Sequence, residues 1–176
     1  MKPLFYFIHG FGSGKDSGKY RKLQNHFKDY FEFDLMEWNP DSDFPKLLNI
    51  AEKKLSQHQN PIILGDSTGA NFAYQLRERL NEKDKASKLI LSSPLFDIDR
   101  RLRAIEFSKN LQSALIRIKN PEKALIIADP EDEVVDQSAI FSKELQAVKL
   151  IQTSDGHRLP EFENYLETIE AYIKED

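Results

Sequence analysis

Short apolar runs alternate with amphipathic stretches from one end of the chain to the other. Runs at Leu4–His9, Glu32–Leu35, Pro61–Gly65, Lys88–Ser92, Ala124–Ala128 and Val148–Gln152 read as six strands. Several are continuous rather than alternating, such as Ile62-Ile63-Leu64 and Leu125-Ile126-Ile127. A continuous run means a strand covered on both faces, as in a parallel sheet. Between the runs the apolar positions recur with the helical period. Tyr20, Leu23 and Phe27 share one face, and Leu47, Leu48, Ala51 and Leu55 share another. Ala73, Leu76 and Leu80 mark a third helix. Phe162, Tyr165, Leu166, Ile169 and Ile173 mark a last one, which begins near Pro160. Asp43 and Asp136 stand where a helix N-cap is useful.

Strand–helix alternation joined by right-handed crossovers predicts an α/β fold, a doubly wound and mostly parallel sheet of about six strands. Such sheets bind ligands beyond the carboxyl ends of their strands. At 176 residues, with no repeat, linker or low-complexity stretch, the chain reads as a single domain over 1–176.

Three fragments lie just after expected strands and fit one chemistry. Gly65-Asp66-Ser67-Thr68-Gly69 has the G-x-S-x-G form of a nucleophile elbow between a buried-type strand and a helix. Asp132 sits in Glu131-Asp132-Glu133-Val134-Val135, and His157 in Asp155-Gly156-His157-Arg158. A serine hydroxyl attacks a carbonyl only when an imidazole takes its proton and a carboxylate orients that imidazole. The order serine, acid, histidine is that of the α/β-hydrolases. The competing reading of the elbow is a glycine-rich turn in which Ser67 is only a helix cap.

The acid has rivals. Asp129, Glu133 and Asp136 follow the same strand as Asp132, and Asp97 follows the preceding one. Asp132 is favoured for its place in the middle of the loop. Of the four histidines, His26 and His58 fall in helical, exposed stretches. His9 precedes Gly10-Phe11-Gly12 and reads as a brace for that loop. Acyl transfer also needs backbone N–H groups aimed at the tetrahedral oxygen. The N–H of Thr68 is one expected donor, and the N–H of Phe11 the second. The glycine-rich loop at residues 10–14 is neither a Walker A loop, since Asp16 follows Lys15, nor a dinucleotide fingerprint.

Other classes recede. The net charge is −4 with basic residues dispersed, which gives nucleic acid no footprint. The absence of cysteine removes disulfides, thiol nucleophiles and thiolate metal sites. No histidine–carboxylate cluster has metal-ligand spacing, so no metal or cofactor is expected. The apolar start at Leu4–Ile8 ends without a small-residue cleavage site, and no stretch reaches membrane-spanning length. The expected location is cytoplasmic. Oligomeric state is not legible.

Taken together, Phe7-Ile8-His9-Gly10-Phe11-Gly12-Ser13, the elbow, Asp129-Pro130-Glu131-Asp132-Glu133-Val134-Val135 and Asp155-Gly156-His157-Arg158 resemble the small YqiA-like esterases of the α/β-hydrolase superfamily. The resemblance implies a minimal α/β-hydrolase fold with no separate cap domain, and hydrolysis of small acyl esters or thioesters. It also implies a triad at Ser67, Asp132 and His157. Asp66 departs from the pattern, where serine, histidine or glutamate is common, and Ala70 replaces a common glycine. A carboxylate beside the nucleophile would repel anionic substrates and raise the pKa of the histidine. Asp66 is also the best support for an alternative, a non-catalytic binding or regulatory protein on a hydrolase scaffold. An amidase or small peptidase would share the same triad. Larger hydrolases insert a lid where this chain has Pro94–Lys123, a segment rich in apolar residues and arginine. Part of it, with Phe96 and Phe107, is expected to wall an acyl pocket, or else to pack as ordinary core helix.

Overall fold

A computed structural model describes residues 2–175. Six strands form one parallel sheet: β1 (Leu4–Ile8), β2 (Glu32–Met36), β3 (Ile62–Asp66), β4 (Lys88–Ser92), β5 (Ala124–Ala128) and β6 (Val148–Gln152). Their spatial order is β2-β1-β3-β4-β5-β6. Each strand lies within a residue or so of the apolar run that predicts it. The continuous runs behave as parallel-sheet physics requires. Every residue of β1 and β5 is buried, whereas the edge strands β2 and β6 are largely half-buried.

Because side chains alternate along a strand, β1 supplies both cores. Leu4, Tyr6 and Ile8 join one, with Phe44 and Leu48 of α2 (Phe44–Leu55) and Phe72 and Leu76 of α3 (Thr68–Asn81). Phe5 and Phe7 join the other, with Tyr20, Leu23 and Phe27 of α1 (Gly18–Phe27), and with Phe162 and Ile169 from the C-terminal end of the chain. The Asp43 side chain accepts from the Lys46 N–H and caps α2, as the sequence predicts.

The remaining helices are short. They are α4 (Lys109–Ala114), α5 (Ser138–Phe141) and α6 (Leu166–Lys174). Two expectations change in detail. The last helix does not start near Pro160, because a 3₁₀ turn at Phe162–Tyr165 precedes α6. Asp136 accepts from the Ser138 N–H, but Gln137 is the residue that flanks α5. The Pro94–Lys123 segment contains only a 3₁₀ turn at Ile98–Arg100 and α4 as regular structure, so it forms no separate domain. Among the described residues no helix is long and apolar enough to cross a membrane.

The strand order reverses at β1. From it the chain moves outward to β2, then returns past β1 to β3. The crevice at the carboxyl ends of β1 and β3 is the topological switch point, where doubly wound sheets hold their ligands.

Candidate active site

Ser67 follows β3 and precedes α3, with φ 52° and ψ −116°. A side-chain-bearing residue rarely adopts that backbone, and it persists only where surrounding contacts over-determine it. Here they do. The Ser67 N–H donates to the Ser92 carbonyl at 2.9 Å, and the Ser67 carbonyl accepts from the N–H groups of Ala70 and Leu95, each at 3.0 Å. The two flanking glycines make the turn possible. A Cβ on Gly65 would lie 2.5 Å from the Ala70 Cα, and one on Gly69 2.3 Å from the Ile8 carbonyl oxygen. Neither position tolerates a side chain, so the helix packs directly on the strand ends.

The three residues singled out in the sequence converge at this turn. The His157 Nε2 lies 2.9 Å from the Ser67 Oγ, and its Nδ1 lies 2.7 Å from the Asp132 Oδ2. Asp132 is fixed from several sides. Its Oδ1 accepts from the N–H groups of Val134 and Val135 at 2.8 and 2.9 Å, and its Oδ2 from the Gln137 amide at 3.3 Å. Burial alone would raise the Asp132 carboxyl. The hydrogen bond and charge of His157, with the two valine N–H groups, outweigh that and hold it below the ordinary carboxylate value. Asp132 is therefore an anion with its lone pairs directed at the imidazole, the state needed to orient a base.

The rival acids have other partners. Asp129 accepts from the N–H groups of Glu131 and Gly156 at 2.8 and 2.7 Å, which ties the histidine loop to the end of β5. Glu133 accepts from the His157 N–H at 3.1 Å. Asp136 pairs with Arg100, and Asp97 with Arg117. Glu133, Asp129 and Gln137 thus position the imidazole and its carboxylate. Gln137 belongs to no motif, and its second acceptor, the Pro94 carbonyl, lies 43 residues away.

His9 is buried, and both its ring nitrogens have partners other than Ser67. Its Nε2 accepts from the Trp38 N–H at 3.1 Å, so the proton sits on Nδ1, which donates to the Gly10 carbonyl at 2.8 Å. Its ring stacks on the Trp38 indole, 4° from parallel. Burial pushes its pKa below the ordinary value. It is a neutral brace for the loop that carries Phe11, the role the sequence suggests.

Asp66 is not a free charge beside the nucleophile. Its Oδ1 receives the Lys19 ammonium at 2.5 Å and the Ser92 hydroxyl at 2.7 Å. Lys19 is buried next to Tyr20 on α1 and lies over the Phe162 ring. No local signal links residues 47 apart, and Lys19 was not singled out by its sequence context.

Two hollows open on Ser67 and His157. One, of about 500 Å³, is a polar cleft bounded by residues 10–19 and Arg158-Leu159-Pro160. The other, of about 160 Å³, lies between Phe11, Thr68, Leu95, Phe107 and Val135. Phe107 is in this second hollow, with its ring 4.9 Å from that of Phe11. Phe96 is not. It lines a separate hollow with Ile118 and Ile140, and its ring is buried in the core cluster. The N–H groups of Phe11 and Thr68 have no acceptor among the described residues, and both residues border the hollow at Ser67. A larger cavity of about 950 Å³ lies at the opposite rim, at the starts of β3 and β4.

Residues 99–174 match the Uncharacterised protein family (UPF0227). No curated protein matches the chain. Solved structures share its fold. Alpha/beta hydrolase domain-containing protein 10 from mouse superposes with a TM-score of 0.74 at 14% identity, covering 98% of this chain and 90% of that one. The monoacylglycerol lipase of Paleococcus ferrophilus gives 0.63 at 14% identity, covering 98% and 95%. The type II thioesterase BorB from the borrelidin biosynthetic cluster gives 0.66 at 14% identity, covering 99% and 94%. At these identities the likeness is one of fold. That fold is the α/β-hydrolase fold. The family match takes in the Asp132 and His157 segments and not the Ser67 turn.

Proposed function

We propose, for a YqiA-like chain carrying the α/β-hydrolase fold, that it is a serine hydrolase cleaving small acyl esters or thioesters through an acyl-enzyme. The observation that carries this reading is the unbroken relay from the Ser67 Oγ through His157 to Asp132, with spans of 2.9 and 2.7 Å. The Ser67 Oγ attacks the acyl carbon as its proton passes to the His157 Nε2. The oxyanion accepts from the N–H groups of Phe11 and Thr68, the latter at the positive end of α3. The C–O or C–S bond breaks, and the leaving group takes the proton from His157. Water then attacks the acyl-enzyme, gives its proton to His157 and releases the acid, and Ser67 recovers its hydrogen. Asp132 stays ionised throughout and stabilises the imidazolium. Neighbours of the same fold bearing lipase and thioesterase names are consistent with this substrate class.

The alternative, a binding protein on a hydrolase scaffold, drew its support from Asp66. The Lys19 ammonium now accounts for that carboxylate, and nothing else favours the alternative. The test is hydrolysis of short 4-nitrophenyl esters and acyl thioesters by the intact protein and by Ser67→Ala. Turnover should fall at least about a thousandfold in the variant. Undiminished turnover would remove Ser67 from the chemistry.

A further inference from the structure

The 160 Å³ hollow beside Ser67 differs in charge from the rest of the molecule. The chain carries a net charge of −4. Yet this hollow is bordered by Arg101, Arg103 and Arg158 and by no aspartate or glutamate. A wall of one sign around a low-dielectric pocket concentrates ligands of the other sign.

Arg101 is held in place rather than free. Its Nε donates to the Ile98 carbonyl at 3.0 Å and its Nη1 to the Ile105 carbonyl at 2.5 Å, while the guanidinium lies 4.3 Å from the Phe107 ring centroid. Its backbone is pinned as well. Arg101 bridges Val135, and the Leu102 N–H donates to the Val134 carbonyl at 2.8 Å. Those valines are the residues whose N–H groups hold Asp132, so the arginine segment and the triad loop are stitched together. No described carboxylate neutralises Arg101 or Arg158, and Arg103 has only a loose contact with Glu133 at 3.7 Å. A rigid guanidinium with unused donors, stacked on an aromatic ring, suits a planar carboxylate.

We propose that the acyl group entering this hollow ends in an anion, so that the substrate is an ester or thioester of a short dicarboxylic acid. The proposal rests on the serine hydrolase reading. The carbonyl sits at Ser67 and the far carboxylate at Arg101, with Arg158 closing the other side. The hollow, at about 160 Å³, is the smaller of the two at Ser67 and suits a short acyl group, so four- and five-carbon diacids are the size to test. Asp66 does not oppose this charge, because Lys19 neutralises it.

The test compares mono-4-nitrophenyl succinate and glutarate with 4-nitrophenyl butyrate, at low and high salt. At low salt the anionic esters should have a kcat/KM about tenfold or more above butyrate, and salt should erode that ratio. Arg101→Gln should bring the ratio close to one, and Arg101→Lys should restore part of it. Arg158→Gln, on an exposed loop, gives a second reading should Arg101→Gln fail to fold. A wild-type preference for butyrate, or a ratio indifferent to both glutamine variants, overturns the proposal. Calorimetry of glutarate with Ser67→Ala separates the two readings. Glutarate binding, weakened about tenfold by Arg158→Gln, supports the anion site even if no ester is hydrolysed, which would defeat the hydrolase reading alone. Ester hydrolysis without glutarate binding defeats the anion site alone.

Discussion

The nucleophile turn and the Pro94–Lys123 segment meet at one hollow and are built in opposite ways. The turn at Ser67 joins a buried strand to a 14-residue helix, and two missing Cβ atoms and three backbone hydrogen bonds fix its geometry. The segment carries one helix of six residues, exposes Leu102 at 60% and Ile116 at 44%, and meets the site at separate backbone points, the Leu95 N–H on the Ser67 carbonyl and the Arg101 bridge to Val135. The difference shows a division of labour. The Ser67 turn stands on backbone fixed at every residue, while the segment has little regular structure and is fixed only where it touches Ser67 and the Asp132 loop. The segment's backbone is tied to the relay at a few points, while its exposed side chains between those points carry no such duty.

The largest effect that sharpens this contrast is expected at Asp132. Asp132→Asn preserves shape but lets the imidazole hold the wrong tautomer. The loss in kcat should approach the ~10⁴-fold seen when a triad aspartate is so replaced, with little change in KM. A loss under tenfold would mean that the carboxylate orients nothing. Next comes Gly69→Ala, whose new Cβ would collide with the carbonyls of Ile8 and His9. It should lower stability by about 3 kcal/mol or more, read as a shifted urea midpoint, and a near-neutral result would break the account of the turn. On the looser side, Phe107→Ala should move acyl-chain preference toward longer esters by about tenfold, with Phe96→Ala leaving it in place. Equal shifts in both would contradict the assignment of Phe96 to the core.

The smallest effect is on acid stability. Hydrogen bonds from Ser138, aided by Arg100, hold Asp136 down to about 2, and Asp132 is also lowered. The unfolded chain therefore takes up these protons first as pH falls. Their contribution is full above the unfolded carboxylate value near ~3.9 and is lost as pH falls toward about 2. His9, lowered by burial, acts with the same sign below about 6.5. Asp136→Asn should flatten the fall in thermal midpoint between pH 4 and 2. An unaltered slope would remove Asp136 from this balance.

Much of this was legible in the chain, for physical reasons that differ by region. Ile62-Ile63-Leu64 and Leu125-Ile126-Ile127 declare strands because only a sheet covered on both faces buries such runs. Ser67, Asp132 and His157 were legible because each follows a strand and so is delivered to one rim. The choice of Asp132 over Asp129 was harder, since both lie in one loop, and the structure parts them by what each accepts. The Pro94–Lys123 segment was least legible. Its apolar residues have no clean period, because contacts with α2, the acid loop and the hollow each claim a few of them. Phe96 and Phe107 look alike in sequence and face different hollows. Lys19 left no signal because its partner Asp66 lies 47 residues away, and Gln137 left none because an amide five residues from Asp132 belongs to no motif.

The function proposed for this site requires the imidazole of His157 to activate the Ser67 hydroxyl. Labelling of the intact protein by a fluorophosphonate, followed by mass spectrometry of the modified peptide, tests it without knowledge of the natural substrate. A single adduct on Ser67 is expected, formed at least about a hundredfold more slowly in His157→Ala. A wild-type protein that resists the probe, or one that labels equally well without His157, would contradict it.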